Sequence, residues 1–245
     1  KIINWYNEYK KLPIVDSSKQ WGMYKDKEED ISLKFFTPSD ILDKEYTTYI
    51  DFSKDIIEDQ FSSYSKINFN DVSFFIKKYY TPSKEVKTIE KELVNKYHID
   101  TNKTIAVCYR GTDKKREVNI PSYQEMFDKI KIIQHKYPNH KLLVQSDEQE
   151  FIDASKIEFP NLIHFQESRK VSSNHRAVQF YFPQGEKVHH AQVFLAIMQI
   201  LSKCDRVILN SGNVGMWICL FRNSTKGVSQ YLKPKLSPTN KDLWV

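Results

Sequence analysis

From Thr104 onward, short apolar runs alternate with segments of helical periodicity, and this alternation restricts the fold more than any other feature of the chain. Thr104 to Tyr109 reads as a buried strand. Ser122 to Tyr137 reads as a helix, with Met126, Phe127, Ile130, Ile133 and Gln134 spaced by three and four. Lys141 to Gln145 is the next strand, followed by a helix around Glu148 to Lys156 and a short strand-like run, Leu162 to Phe165. Val188 to Ser202 is a strongly apolar helix, Arg206 to Asn210 a strand, and Asn213 to Arg222 a helix. Strands separated by helices at this spacing predict a parallel sheet of the doubly wound type.

Upstream, Thr81-Pro82-Ser83 predicts a helix start with Thr81 as N-cap and Pro82 in the first turn. The helix runs to about Tyr97, with Val86, Ile89, Leu93 and Val94 on one face. His98 to Asn102 breaks it. Residues 1 to 80 are rich in Tyr, Phe, Lys, Asp and Ser with mixed periodicity. Trp5, Tyr6, Tyr9, Trp21 and Tyr24 read as packing residues, with an aromatic platform for sugar as the alternative. The predicted organisation is a smaller N-terminal α/β part over 1–103 and a Rossmann-like domain over 104–245. Lys233 to Val245 reads as a surface loop or terminal strap.

Composition excludes some classes. The chain has 245 residues, no run of 18 apolar residues and hence no expected membrane span. Lys1 to Lys11 mixes charges and aromatics, unlike a signal peptide. The net charge of +6 is mild and spread out; it permits an anionic ligand without demanding nucleic acid. Cys108, Cys204 and Cys219 sit in apolar segments without metal-ligand spacing, so buried thiols in a reducing compartment such as the cytoplasm are expected. Asn102-Lys-Thr and Asn223-Ser-Thr fit a glycosylation triplet that arises often by chance.

In an open parallel sheet, ligands collect at the carboxyl ends of the strands. There the sequence offers Arg110-Gly111-Thr112-Asp113-Lys114, Ser146-Asp147-Glu148, and Asn210-Ser211-Gly212-Asn213-Val214-Gly215. The chain has only six glycines, and five lie at or after Gly111. Gly212 and Gly215 would let backbone N–H groups approach an anion at a helix N-terminus. Arg110 can donate a bidentate pair to phosphate. The alternatives are a surface ion pair of Arg110 with Asp113 and a plain tight turn at Gly212–Gly215. Neither GxGxxG nor GxxxxGK[ST] occurs, which argues against an ordinary dinucleotide dehydrogenase and a P-loop NTPase.

Ala106-Val107-Cys108-Tyr109-Arg110-Gly111-Thr112-Asp113-Lys114, with Pro121 and Met126 following, resembles the H-V-R-R-T-D-K motif of alpha-1,6-fucosyltransferases and nodulation-factor fucosyltransferases. Ser146-Asp147-Glu148 resembles their T-D-D turn. Leu201-Ser202-Lys203-Cys204-Asp205 through Asn213-Val214 resembles their last motif. The order holds over residues 82 to 222. The resemblance implies a GT-B enzyme of two Rossmann-like units that transfers a sugar from GDP-fucose with inversion and without metal. It implies that Arg110 holds the donor β-phosphate, with Asp113 and Lys114 as the motif Asp and Lys. Asp147 and Glu148 take the acidic positions of the T-D-D turn, and Asn213 the phosphate-binding serine position beside Ser211 and Gly212. Gly111 stands where the family has its second arginine. Cys108 and Ile197 stand where the family has the His and Asp that contact guanine, so the base pocket is expected to be more apolar and selectivity for GDP weak, with Asp205 or Glu186 as possible substitutes.

The chemistry needs a base for the acceptor hydroxyl, a glycan or other alcohol. Glu117, in the loop after Arg110, and Asp113 are the candidates; an exposed loop acid is the plain alternative for Glu117. The expected donor-binding set is Arg110, Gly111, Lys114, Asp147, Glu148, Ser211, Gly212, Asn213 and Gly215. A degenerate domain that binds nucleotide or glycan without turnover is the second reading. A phosphatase or nucleotidase would need a metal cluster or a nucleophile motif. His189 and His190 point to different faces of a helix and cannot share a metal, and His175 and Arg176 lie in a polar loop.

Overall fold

The computed structural model describes residues 13–19, 21–37, 43–49, 61–232 and 244–245. Its elements run β1 (Pro13–Asp16), α1 (Ser32–Phe35), β2 (Asp43–Tyr49), α2 (Phe69–Tyr79), α3 (Lys84–Lys96), β3 (Thr104–Tyr109), α4 (Tyr123–Lys136), β4 (Lys141–Ser146), α5 (Gln149–Glu158), α6 (Lys187–Lys203), β5 (Arg206–Asn210), α7 (Asn213–Arg222) and β6 (Val228–Tyr231). Trp5, Tyr6, Tyr9 and most of the C-terminal tail lie outside the described residues.

Four strands form a sheet in the order β4-β3-β5-β6, every pair parallel. Side chains alternate across it. Ala106, Cys108, Leu143, Val207 and Leu209 enter one core with Val86 and Leu93 of α3, the apolar length of α6, and Ile218 and Cys219 of α7. Ile105, Val107, Tyr109, Leu142, Val144 and Ile208 enter the other with Met126, Phe127 and Ile130 of α4 and Phe151 and Ile152 of α5. The near-continuous apolar strands follow from burial on both faces. All three thiols are free and buried.

Two helix starts show how local chemistry sets the boundaries. Ser122 opens α4 through a capping box with Glu125. The expected N-cap at Thr81 is corrected: Ser83 caps α3, its Oγ accepting from the Val86 N–H. Pro82 is held instead in an antiparallel bridge with Phe36, so helical geometry begins after it. The run from Leu162 supplies one bridge only, Ile163 against Leu143 on the outer edge of β4. The half-polar strand β6 carries no strong sequence signal, and Trp244–Val245 pairs antiparallel with it. A small parallel pair, β1 with β2, stands apart from the main sheet.

From β3 the chain winds to β4 on one side, and β5 and β6 lie on the other. The winding direction therefore reverses between β3 and β5, which opens a crevice at their carboxyl ends. Asn210 straddles it: its Oδ1 accepts from the Arg110 N–H at 2.9 Å and its Nδ2 donates to the Arg110 carbonyl at 3.1 Å.

Candidate functional site

The first residues past β3 are organised by one buried carboxylate. Asp147, with a side chain 4% exposed, accepts from Arg110 Nε at 2.9 Å, the Gly111 N–H at 3.0 Å and Thr112 Oγ1 at 2.6 Å. Asp113 takes Arg110 Nη2 at 3.1 Å. Burial opposes the charge on Arg110, but Asp147 and Asp113 outweigh it and hold the guanidinium firmly protonated. Two carboxylates fix its orientation, and no described residue takes Nη1, whose two N–H groups remain for a ligand.

Lys114 is buried. Its ammonium meets Glu117 Oε2 at 2.5 Å and lies over the Phe61 ring at 5.8 Å. Its stem crosses the α7 turn, where a Cβ on Gly212 would sit 3.3 Å from Lys114 Cε. Gly212 has φ +146°, a conformation L side chains rarely adopt. The Tyr64 hydroxyl locks the turn, accepting from the Gly212 N–H and donating to its carbonyl, both at 2.8 Å. Gly215 lets α7 approach β5; a Cβ there would meet Leu209 Cδ1 at 2.9 Å and the Asn210 carbonyl at 3.1 Å. Ser211 points away from the crevice, donating to the Tyr231 carbonyl and accepting from Gln230.

A cavity of about 260 Å³ opens over this floor. Arg110, Asp113, Lys114, Asp147 and Asn213 line one wall, as the strand-end reading expects. The opposite wall was not anticipated. It is built from Gln145, from Ser168 and Arg169, from Val178, Gln179 and Phe182, and from His190 and Phe194 of α6, with Tyr24 also lining the space. The spacing of 190, 191 and 194 on α6 is the one signal that could have revealed part of it. His190 stacks on Phe182 and meets Glu186 Oε2 at 3.3 Å.

Other expected site residues lie elsewhere. Glu148 is buried beneath Gly111, its carboxylate hydrogen-bonded by the Tyr123 hydroxyl. Burial, with a smaller contribution from Glu150, raises its pKa. A Cβ on Gly111 would fall 1.8 Å from Glu148 Oε2, so the space of the resembled family's second arginine is already filled. Glu117 does not line the cavity; its side chain is 41% exposed and tied to Lys114. Cys108 and Ile197 are core residues and do not line the cavity; burial pushes the Cys108 thiol up to about 12. The apolar character expected at those positions therefore belongs to the core, and polar side chains from elsewhere face the cavity. Asp205 is no substitute for them: it pairs with His140 and Arg206 at the amino end of β5.

The chain is similar to solved fucosyltransferase structures. The NodZ alpha-1,6-fucosyltransferase soaked with GDP-fucose is 11% identical, with 73% of this chain and 53% of that chain covered and a TM-score of 0.43. NodZ from Bradyrhizobium is also 11% identical, over 62% of this chain and 45% of that one, at a TM-score of 0.37. An Arabidopsis thaliana FUT1 mutant in complex with GDP is 14% identical, over 66% and 35%, at 0.37. The chain thus spans about half the length of the NodZ chains. No protein-family model and no curated protein sequence matches it. Among the described residues no three His, Cys, Asp or Glu side chains are grouped to hold a metal ion, and no helix is long and apolar enough to cross a membrane.

Proposed function

We propose that this chain is a glycosyltransferase of fucosyltransferase type, taking a sugar from a nucleoside-diphosphate sugar, GDP-fucose by resemblance, to a hydroxyl acceptor with inversion. The observation that carries the reading is Arg110 at the switch point of the sheet, oriented by Asp147 and Asp113, with Nη1 left over beside the N-terminus of α7. As the glycosidic bond breaks, negative charge grows on the leaving diphosphate. A fixed guanidinium and helix N–H groups stabilise that charge without needing to reorganise. Two residues are candidates for the base. Asp113 lines the cavity and can take the acceptor proton, whereas Glu117 is held by Lys114 outside its lining. No step of this scheme calls on a metal. Residues 1–103 would form the acceptor-side part and 104–245 the donor-side part.

A second reading, a nucleotide-binding domain without turnover, is favoured by one observation: Glu148 fills the place of the second arginine of the resembled motif. Incubation of purified protein with GDP-fucose, following both transfer and donor hydrolysis, separates the two. Nucleotide binding without either product supports the second reading. Absence of any binding removes both.

A further inference from the structure

The cationic wall of the cavity, the one built from the strand ends, carries Arg110 and Lys114 together with the carboxylates of Asp113 and Asp147. Those charges cancel. Arg110 is matched twice, by Asp147 at 2.9 Å and by Asp113 at 3.1 Å, and Lys114 meets Glu117 besides. The carboxylates that fix Arg110 in place also repel an anion laid against it. A diphosphate is strongly anionic, and burying it against a wall of no net charge is costly. A site for such a ligand needs positive charge from another part of its lining.

Arg169 carries that charge. It lines the cavity from the opposite wall and is exposed, and among the described residues its side chain takes no hydrogen bond or ion pair. His190, on the same wall, is already partnered by Glu186. The backbone on both sides of Arg169 is fixed to the end of β4. Ser168 Oγ accepts from Gln145 Nε2 at 2.8 Å. The Val171 N–H donates to the Asp147 carbonyl at 3.0 Å, and the Val171 carbonyl accepts from the Gln149 N–H at 2.9 Å. Lys170 ties the stretch internally, its Nζ donating to the carbonyls of Phe165 at 2.7 Å and Ser168 at 2.8 Å. Arg169 is therefore rooted in a held segment that runs along the very turn whose carboxylate orients Arg110. Its root is fixed and its guanidinium is not engaged.

We propose that Arg169 is a further phosphate-binding residue, whose guanidinium closes on the donor's diphosphate from the wall opposite Arg110. The inference rests on the nucleotide-sugar reading above. Arg110 gives the site its fixed geometry, and Arg169 gives it a net positive charge.

Calorimetry with GDP and inorganic pyrophosphate tests this in wild type, Arg169→Ala and Arg169→Lys, with urea unfolding of each protein alongside. Arg169→Ala should weaken both ligands by about tenfold, the loss of one charge-assisted contact. Arg169→Lys should recover most of that affinity, because lysine serves as a point charge for phosphate. The urea midpoint should match wild type in both variants, since the side chain holds nothing in the folded chain. A lowered midpoint in Arg169→Ala would give the side chain a structural role and overturn the proposal. If Arg169→Ala binds both ligands as wild type does, the proposal falls while the nucleotide reading stands. A loss confined to GDP moves Arg169 to the nucleoside and overturns the diphosphate assignment. Equal losses in Arg169→Lys and Arg169→Ala overturn the argument from charge. If wild type binds neither ligand, the functional reading falls, and the proposal with it.

Discussion

The two walls of the cavity are built on different principles. The cationic wall comes from the first residues after two strands and the first turn of a helix, and each part is held by buried hydrogen bonds. Asp147 organises Arg110, Gly111 and Thr112, while Tyr64 and Asn210 lock the α7 turn to β3. The facing wall comes largely from the irregular segment between α5 and α6, where Arg169 is exposed and Val178 to Tyr181 makes only a short 3-10 turn. The first wall is preorganised and charged; the second supplies shape and a few polar edges. Stability and ligand affinity should respond separately at the two.

The largest effect should come from Asp147→Ala. It leaves Arg110 with Asp113 alone and strands three donors, Arg110 Nε, the Gly111 N–H and Thr112 Oγ1, and a broken buried pair costs about 3–5 kcal/mol. Urea unfolding should register that loss, whereas Arg169→Ala on the facing wall should stay within about 0.5 kcal/mol. Comparable losses would break the contrast. Next is Gly215→Ala, whose added methyl meets Leu209 and the Asn210 carbonyl closer than ordinary contact. Overpacking of that kind costs about 1–3 kcal/mol, read as a lower Tm. Gly212→Ala presses instead on the flexible stem of Lys114, and its cost should come from its backbone angle. Arg110→Lys keeps the charge but loses the planar fork, so transfer and GDP binding should each fall tenfold or more, about 1.4 kcal/mol. Full activity in that variant would remove Arg110 from the diphosphate site.

The smallest effect concerns pH. The pKa of Glu148 is raised in the folded chain, so its ionisation opposes folding once the pH climbs above its ordinary value of 4.5 and on through the folded value. Glu148→Gln retains an oxygen for the Tyr123 hydroxyl and removes that charge. It should raise Tm near pH 7, and the gain should vanish below about pH 4.5. A Tm difference that persists at pH 4 would assign the effect to packing instead of charge.

Much of the first wall was legible in the sequence because it depends on position alone. A polar residue directly after a buried strand has to emerge at the sheet's carboxyl edge, and so Arg110, Asp113, Asp147 and Asn213 could be placed together. Orientation was not legible. Glu148 and Ser211 share those turns but face inward, because alternation and hydrogen bonding by Tyr123 and Tyr231 decide which side chain points where. The facing wall lacked periodicity to read, apart from the helical spacing of His190 and Phe194. Gln145 did carry a signal: it is the first polar residue after Leu142-Leu143-Val144, and an amide in an apolar strand needs a partner. The parallel sheet was readable from its apolar strands, whereas β6, half polar and only four residues long, was not.

Tyr64 and Gln230 give the α7 turn a place in the order of folding. The Tyr64 hydroxyl reaches Gly212 across 148 positions of sequence. The Gln230 amide joins Ser62 across 168 positions and Ser211 across 19, while its oxygen accepts from the Tyr64 N–H. Contacts so distant in sequence carry the entropy of closing most of the chain into a loop, and they are characteristic of slow folding. The turn that faces the cavity should therefore complete late, after the local β3-α4-β4 unit has formed. Refolding followed by recovery of nucleotide binding should lag behind refolding followed by secondary structure, and the lag should lengthen in Tyr64→Phe.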